Sequence, residues 1–493
     1  MRLLCVKTWV RPIAGLLAVG LIACGAVREA RPGKARSTVV LLVFDELPVA
    51  SLMRPDGNID SKLFPNFARL QRDSTWFRNA TSPGTFTHDV IPSILTGSLP
   101  SERLQESSFL PDNLFTLLAP THRVYTTQPF PRMCPPTTCS PMPQARTDDP
   151  LRHRFPVFSK GDRGRKYLSL GSATQGATEP RFLFAHFVLP HQPWAYLPDG
   201  RRYLAGETLP GQYDSDGRGK GWSDEWWLTA QALQRHLLQL RFTDLLLGTL
   251  LDRLERAGIY EGTTMVVVAD HGIAFERGQP KRMPTPETVG ELAAVPFFFK
   301  KPQQRRGWIS DKPVQLTDIA PTIADVLGLR LKWRGLEGVS VFDRRSKRPD
   351  RSVAGLPMKS DGSEKYLAVR RKYSTFGQRR GSLDLFRLGP RWAQDLVGRH
   401  VDDLARSMEA VPADISYPAA FDRASATSPI VPSLLQGSIP GTPEDNVLLA
   451  VTVDGRVAAV TPTYVEGDAT RFYCMLPPRL LNEAPNRVEI FRL

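Results

Sequence analysis

The chain has 493 residues, of which 41% are hydrophobic and 23% are charged. This composition excludes a wholly disordered protein and leaves room for one large domain and a smaller one. The formal net charge of +14 favours anionic partners, such as lipid head groups, phosphorylated glycans or nucleic acid. The basic residues are scattered and form no nucleic-acid-binding motif, so the charge indicates either a generally basic surface or an anionic substrate.

The N-terminal segment has the pattern of an export signal. Basic residues precede an uncharged, mostly apolar run at 12–24. A run of about a dozen residues is typical of a signal peptide and is short for a membrane-spanning helix. Residues 21–24, LIAC, also match a bacterial lipobox, which would make Cys24 a lipidated N-terminus; cleavage without lipid and an uncleaved anchor are the alternatives. We therefore predict that residues 1–24 are a signal peptide and that the body is exported to a bacterial envelope, membrane-tethered or periplasmic.

Export changes the interpretation of the remaining cysteines. Cys134 and Cys139 lie in a short Pro-rich loop, which in an oxidising compartment favours a local disulfide. A zinc site is the less favoured alternative, because no nearby Cys/His pair completes a tetrahedral set. We expect Cys474 to be a buried strand residue.

Buried strands and amphipathic helices alternate along the first two thirds of the chain. The apolar, β-branched run at 37–44 predicts a buried strand of a parallel sheet. Similar runs follow at 182–189, 263–269 and 295–300. Helical periodicity at 64–73 and 226–258 separates them. This alternation predicts an α/β fold with a doubly wound sheet.

After about residue 345 the character of the sequence changes. Residues 346–440 are rich in Pro, Ser and Arg without strong periodicity, and we predict a linker or irregular region. Residues 441–493 predict a small β module, with a hairpin turn at Asp454-Gly455. The catalytic domain would then occupy residues 37–345.

Acidic and histidine side chains follow the predicted strands where the strands end. Asp45 and Glu46 follow the first, and Asp270 and His271 follow the third. Singly, such residues are more often helix N-caps or solvated loop residues. Because ligands gather at the carboxyl ends of parallel strands, the combination predicts a divalent metal site. Carboxylates with an imidazole favour Zn²⁺ or Mn²⁺, with Ca²⁺ as a further option.

These motifs also occur in a recognisable order. The acidic pair at 45–46, the LTG at 95–97, the DHG at 270–272 and the DIAPTIA at 318–324 resemble the sulfatase branch of the alkaline phosphatase superfamily. Residues 182–203 are similar to a bacterial subgroup of exported or membrane-tethered sulfatase-like proteins. The resemblance covers residues 37–342. It implies an alkaline-phosphatase-like fold and a metal-dependent hydrolase or transferase acting on phosphoester or sulfate-ester groups.

The nucleophile segment departs from the sulfatase pattern. Sulfatases carry a cysteine, oxidised to formylglycine, ten residues before the glycine that corresponds to Gly97, and here that position is Thr87. Formylglycine chemistry is therefore excluded at this position. A threonine there resembles the phosphoethanolamine and glycerol-phosphate transferases of the same superfamily, which implies that Thr87 is the nucleophile. The alternative is an N-cap role for Thr87, with Thr85 as an equal competitor.

The resemblance also implies a ligand set. Asp45, Glu46, Thr87, Asp270 and His271 would hold the metal. The cation would favour the threonine alkoxide, which is otherwise a poor nucleophile at neutral pH. Placing Thr87 at a helix start would point backbone N–H groups at the anionic ester.

Further histidines are candidates for supporting roles. His191 resembles the His-x-Pro segment of sulfatases, which implies a general acid or a ligand of a second metal. His186 alternates in phase with apolar strand neighbours, so we expect a packed group behind the site.

Two pairs of polar residues have weaker claims to a role. His88 and Asp89 would either orient the nucleophile or form a solvated loop pair. Lys300 or Lys301 would either contact substrate oxygens or lie on the surface at a strand end.

One departure puts a complete second metal site in doubt. The transferases usually carry a further histidine downstream of the Asp-His pair, whereas residues 273–295 contain none. The membrane-spanning helices that precede their catalytic domain also have no counterpart in this sequence.

The sequence thus favours an exported enzyme acting on an anionic envelope or extracellular substrate, in contact with the membrane surface and not with nucleic acid. A true sulfate-ester hydrolase is disfavoured by the missing cysteine and arginine. The alternative from another class is a non-catalytic envelope binding protein that keeps the fold.

Overall fold

The structure is a computed structural model that describes residues 37–493, except 103, 105–109, 128–132, 145–164, 175, 177–178, 204–208, 216–218, 344–350, 378–383, 405–407, 426–427 and 482–484. The predicted signal peptide at 1–24 and the lipid site at Cys24 therefore lie outside the described residues. Among the helices of the described part, none has both the length and the apolar character needed to cross a bilayer.

Strands and helices alternate through the first two thirds of the described chain, and mainly strands follow. The strands are β1 (Val39–Asp45), β2 (Thr75–Phe77), β3 (Ala80–Thr81), β4 (Arg123–Thr126), β5 (Cys139–Pro141), β6 (Arg181–Pro190), β7 (Arg202–Tyr203), β8 (Gln212–Ser215), β9 (Gly219–Trp222), β10 (Thr264–Ala269), β11 (Phe297–Lys300), β12 (Trp308–Ser310), β13 (Val314–Gln315), β14 (Arg351–Val353), β15 (Leu356–Met358), β16 (Glu409–Ala410), β17 (Asp414–Ile415), β18 (Ile430–Val431), β19 (Leu434–Ile439), β20 (Leu448–Val453), β21 (Arg456–Pro462), β22 (Tyr464–Glu466), β23 (Ala469–Met475) and β24 (Val488–Arg492). The described α-helices are α1 (Val49–Leu52), α2 (Pro65–Asp73), α3 (Thr87–Thr96), α4 (Leu114–Leu118), α5 (Arg165–Thr174), α6 (Trp226–Arg256), α7 (Val289–Leu292), α8 (Ile319–Leu327), α9 (Lys365–Phe376) and α10 (Arg391–Gln394).

A mixed eight-stranded sheet forms the centre of the α/β part, in the order β12-β2-β11-β10-β1-β6-β4-β5 among the described strands. Strand β1 lies between β10 and β6 and runs parallel to both, as predicted. Every β1 residue is buried, because the strand is covered on both faces, and this explains its continuous apolar sequence. The fourth predicted strand, β11, instead runs antiparallel to β10. An apolar run indicates that a strand is buried but not in which direction it runs, so the sequence could not distinguish parallel from antiparallel pairing.

Helices cover both faces of this sheet. On one face the Phe44 ring contacts Phe67 of α2 with ring centroids 5.8 Å apart. Phe184 pairs with Leu41 and so points to the opposite face from Phe44, where its ring meets Phe115 of α4 at 5.5 Å. The long helix α6 packs against α2, α5 and β6. The α/β fold with helices on both faces of a large sheet is thus confirmed.

The C-terminal part consists of two four-stranded antiparallel sheets among the described residues, β16-β24-β20-β21 and β17-β19-β23-β22. The smaller β module was therefore correctly expected, but its start at residue 441 was not. Strands β16, β17 and β19 belong to these sheets and fall in the region expected to be a linker. Strands β16 and β17 have only two residues each, and β19 (LLQGSI) is interrupted by Gly437, so the sequence shows no clear alternation in this region.

Several local predictions in this frame are confirmed. Cys134 and Cys139 form a disulfide. Cys474 is buried on β23. The turn at Asp454-Gly455 joins β20 and β21 as an antiparallel hairpin.

Helix α6 contacts both parts of the molecule through two glutamines. The Gln239 side-chain amide donates to the carbonyl oxygens of Pro190, the last residue of β6, and of His191, the next residue, at 3.0 and 2.9 Å. Two helical turns earlier, the Gln231 amide donates to the Tyr473 carbonyl oxygen of β23 at 2.8 Å. Both glutamines are buried, so these bonds satisfy groups that would otherwise be costly to remove from water.

Candidate active site

The central sheet brings two predicted carboxylates to the same edge. Asp45 is the last residue of β1, and Asp270 directly follows the neighbouring parallel strand β10. The Asp270 amide donates to the Phe44 carbonyl oxygen at 2.9 Å, which continues the strand pairing up to the site. The carboxyl ends of parallel neighbours meet by construction, and the side chains therefore converge.

Asp45, Asp270 and His271 form a buried cluster whose possible ligand atoms lie within 4.8 Å of one another. His271 Nε2 is 3.7 Å from Asp45 Oδ1 and 3.5 Å from Asp270 Oδ2. His271 Nδ1 lies 2.9 Å from the carbonyl oxygen of Gly272, a contact that orients Nε2 towards the carboxylates. Two carboxylates and one imidazole are a donor set suited to Zn²⁺ or Mn²⁺, so these residues fit the implied metal.

Burial and charge act against each other in the cluster. Burial alone would raise the pKa of Asp270, but His271, His186 and the Thr87 hydroxyl lower it well below its ordinary value. The pKa of His271 is lowered, chiefly by burial, although Asp270 acts in the opposite direction. The Asp270 carboxylate therefore stays ionised, which is the form that binds a cation.

Thr87 lies at this cluster. It is the first residue of α3, and its Oγ1 donates to Asp270 Oδ2 at 2.7 Å and lies 3.3 Å from His271 Nε2. The N-cap residue is Phe86, and no side chain caps the helix. The capping alternative for Thr87 and Thr85 is therefore wrong, because the Thr87 hydroxyl is directed at the carboxylate instead of at its own helix.

Glu46 lies beside the cluster instead of within it. Its backbone is in the left-handed region, with φ 58°, which is uncommon for a residue with a side chain. Its Oε1 accepts from Arg282 Nε at 2.8 Å, and its Oε2 accepts from the backbone N–H of Gln192 at 3.0 Å. Burial would raise the pKa of Glu46, but the charges of His191 and Arg282 lower it.

Arg282 is a site residue that the sequence reasoning did not identify. Its Nη2 donates to His191 Nε2 at 3.0 Å, and its Nη1 lies close to both ring nitrogens of His271, 2.8 Å from Nε2 and 3.3 Å from Nδ1. Nη1 also lies 3.1 Å from the carbonyl oxygen of Thr85. Residues 273–295 contain no histidine, and no periodicity in this segment indicates that an arginine there turns into the site.

The remaining histidines divide between the site and its surroundings. His186 is buried behind the carboxylates, with Nε2 3.6 Å from Asp45 Oδ2 and 3.8 Å from Asp270 Oδ2. His191 is partly exposed, and its Nε2 is 3.4 Å from Glu46 Oε1. The packed position expected for His186 is confirmed, whereas the role of His191 as a general acid or metal ligand stays a prediction.

The weaker candidates lie elsewhere or point away from the site. The His88 side chain is 72% exposed and faces Asp89 at 3.5 Å. Lys300 pairs with Met265 near the start of β10, so it lies at the opposite end of the sheet from Asp270. Its Nζ donates to the carbonyl oxygens of Tyr260 and Glu261 at 3.0 and 3.1 Å. The substrate-binding option for Lys300 is therefore wrong.

A profile of the sulfatase family matches residues 37–329. A curated relative, a sulfatase of Formosa agariphila, is 29% identical over 108 residues. That match covers 22% of this chain and about a fifth (20%) of the relative.

Two solved structures resemble the chain at low identity. The phosphonate monoester hydrolase of Agrobacterium radiobacter is 17% identical, with 62% of this chain and 76% of that chain covered and a TM-score of 0.47. The C-terminal periplasmic domain of EcEptC from Escherichia coli, in complex with Zn, is 13% identical, with 67% and 94% covered and a TM-score of 0.46.

Proposed function

The chain belongs to the sulfatase family of the alkaline phosphatase superfamily, and we propose that it is an exported, metal-dependent hydrolase or transferase that cleaves phosphoester groups with Thr87 as its nucleophile. The observation that carries this proposal is the Thr87 hydroxyl, which donates to Asp270 at 2.7 Å inside the cluster of Asp45, Asp270 and His271. A hydroxyl held in this way is positioned for attack and not for helix capping.

The chain's own residues account for the order of events. Thr87 Oγ1 attacks the phosphorus atom, and its proton passes to the Asp270 oxygen that already accepts its hydrogen bond. The leaving oxygen departs with the bonding electrons and takes a proton from water, because His191 Nε2 accepts from Arg282 and carries no proton in this arrangement. Water or an acceptor alcohol then attacks the phosphorus atom, and Thr87 regains its hydroxyl proton.

Asp270 is a weak base by itself, because its pKa is low. A divalent ion held by Asp45, Asp270 and His271 would supply the positive charge that favours the threonine alkoxide and offsets the charge of the ester. Glu46 is engaged by Arg282, so we do not include it among the ligands.

Positive side chains at the mouth of the site favour an anionic substrate. Arg282 lies 3.0 Å from His191, and the Lys281 Nζ donates to Gln192 Oε1 at 2.9 Å beside it. The net charge of +14 acts in the same direction over longer range. We propose that the substrate is an anionic ester of the bacterial envelope or its surroundings, with the enzyme at the membrane surface, and that phosphoesters are preferred over sulfate esters.

The test is turnover and covalent trapping in three proteins: the wild type, Thr87→Ala and Thr87→Ser. Metal content is measured first, and each protein is then incubated with phosphodiester and sulfate-ester substrates and examined by intact mass. We expect bound Zn or Mn, an adduct mapped to Thr87 in the wild type, and a loss of turnover of about 1,000-fold or more in Thr87→Ala. Thr87→Ser keeps the hydroxyl and should retain measurable turnover.

A folded wild-type protein without metal, adduct or turnover would contradict the proposal. Retained ligand affinity in both wild type and Thr87→Ala would then favour the non-catalytic binding protein. Equal turnover in wild type and Thr87→Ala would instead remove Thr87 from the mechanism while keeping the enzyme.

A further inference from the structure

Phe86 is an exposed aromatic residue directly beside the proposed nucleophile. It precedes Thr87 in the chain and is the N-cap residue of α3, with an extended backbone. Its side chain has no oxygen that could accept from the helix N–H groups, so it is a poor cap. It is also 36% exposed. Single exposed apolar residues are common on protein surfaces, so the feature that needs an explanation is its position next to the nucleophile.

Two neighbours hold the Phe86 ring. The guanidinium carbon of Arg282 lies 5.8 Å from the ring centroid, within range of a cation–π contact. The His88 ring lies 5.7 Å from it, at an interplanar angle of 31°. Arg282 is itself fixed by Glu46 at 2.8 Å and by the carbonyl oxygen of Thr85 at 3.1 Å. The Phe86 ring is therefore preorganised, and a ligand that packs against it does not have to order it first.

Phe86 borders the side from which an ester can reach Thr87. The Thr87 hydroxyl contacts Asp270 and His271, and both of these residues are fully buried. An ester therefore reaches the hydroxyl from the solvent side, where Phe86 lies. With the phosphoryl group at Thr87, the alcohol part of the ester extends outwards past the exposed part of the Phe86 ring.

An aromatic side chain in this position distinguishes alcohols by their shape. A ring-shaped alcohol, such as a sugar or an aryl alcohol, offers a rigid surface that packs against an aromatic side chain. An open-chain alcohol of the same size must give up rotational freedom to make the same contact. The guanidinium of Arg282 and the imidazole of His88 are hydrogen-bonding groups, so they suit polar substituents at the edge of a ring better than a long acyl chain.

We propose that Phe86 is a specificity-determining residue, whose ring packs against the alcohol part of the ester and selects ring-shaped alcohols over open-chain ones. This proposal rests on the proposed function, because it uses the same phosphoryl site at Thr87. It separates this chain in substrate choice from the phosphoethanolamine and glycerol-phosphate transferases, whose transferred groups are open chains.

The experiment measures dissociation constants by calorimetry with Zn²⁺ present, in the Thr87→Ala background so that no ligand is consumed. Glucose 6-phosphate is compared with glucitol 6-phosphate, and phenyl phosphate with hexyl phosphate, so that carbon number and phosphate charge are equal within each pair. Inorganic phosphate is the reference. At least one ring ligand should bind about tenfold tighter than its open-chain partner. The pair that shows the preference identifies the alcohol as a sugar or as an aryl group.

The variants assign the preference to the ring of Phe86. Phe86→Ala should weaken the preferred ring ligand about tenfold, and the affinity for inorganic phosphate should stay within about twofold. Phe86→Tyr keeps the ring and should keep the preference. Trp308→Ala is the matched control, because Trp308 is an exposed aromatic residue on β12, at one end of the strand order of the central sheet. Its affinities should stay within about twofold.

A merely structural role would give a different pattern. If Phe86 only held Arg282 in place, Phe86→Ala would weaken every phosphate by the same factor, inorganic phosphate included, and the preference would remain. That result would overturn the proposal. If Phe86→Ala did not fold, Phe86→Leu would take its place, because it keeps most of the volume and loses the ring.

Equal affinities within both pairs, together with binding of inorganic phosphate, would overturn the proposal and leave the proposed function intact. A preference for open chains would do the same. Binding of none of the phosphates would instead remove the anion site of the proposed function, and this proposal with it.

Discussion

At one end of the central sheet Asp45 and Asp270 lie in one cluster within 4.8 Å, whereas at the other end Lys300 is surrounded by backbone carbonyl oxygens. Both ends bury charge, since Lys300 is 1% and Asp270 0% exposed. The lysine end is neutralised by dipoles within the fold. The carboxylate end places like charges side by side, which costs free energy unless a cation is bound. The buried charge of Lys300 is compensated within the fold and is therefore structural. The buried charges of Asp45 and Asp270 need a bound cation, and they mark the functional end of the sheet.

The largest effect should come from the carboxylate end. Asp270→Asn removes a ligand and the acceptor of the Thr87 hydrogen bond, so turnover should fall by about 1,000-fold or more. The rise in melting temperature on adding metal should also disappear; at about 100-fold excess over Kd that rise corresponds to about 2.7 kcal/mol. Thermal unfolding with and without Zn²⁺ measures it. If adding metal raised the melting temperature of Asp270→Asn as much as that of the wild type, the carboxylate end would not be the end that binds the cation.

The next effect should come from the lysine end and should be structural only. Lys300→Met removes two charge-assisted hydrogen bonds and leaves the carbonyl oxygens of Tyr260 and Glu261 with backbone amide donors alone, so the free energy of unfolding should fall by about 2 kcal/mol. Turnover per folded molecule and the metal-dependent shift should be unchanged. Denaturant unfolding measures the free energy of unfolding, enzyme kinetics measures turnover, and thermal unfolding with and without Zn²⁺ measures the metal-dependent shift. Lys301→Met is the control, since Lys301 lies over the Phe342 ring and should cost about 1 kcal/mol or less.

The smallest effect, counted per pH unit, concerns a second buried lysine. Lys372 of α9 donates to the carbonyl oxygens of Ala50, Ser51 and Met53, in and after α1. Burial lowers its pKa from 10.5 to about 7, although Asp60 acts in the opposite direction. Between these two values the unfolded chain binds the extra proton, so stability rises with pH, by about 1.4 kcal/mol per pH unit at most. Denaturant unfolding from pH 7 to 9.5 should show this rise, and Lys372→Met should flatten it. An identical slope in the variant would assign the rise to another group.

The sequence predicted the functional end of the sheet better than it predicted the surroundings. The β-branched runs predicted β1 and β10 as buried strands of a parallel sheet. Because neighbouring parallel strands end at the same edge of a sheet, the sequence also predicted that Asp45 and Asp270 lie together. The loop after Gly272 has no such periodicity, and Arg282 reaches the site only through tertiary contacts with Glu46 and His191. A single arginine in a chain with 64 lysines and arginines also gives no signal of its own.

The contacts of helix α6 also determine which parts of the chain can be removed or exchanged without exposing buried groups. Gln231 is buried against β23, and Gln239 of the same helix holds the loop that carries His191. A chain ending near residue 345 would leave the Gln231 end of this helix facing solvent, with buried amide and apolar groups uncovered. The C-terminal sheets therefore cannot be exchanged or lost as an independent cassette, and insertions are better tolerated in exposed turns such as the one at Asp454-Gly455 than at the apparent boundary in the sequence.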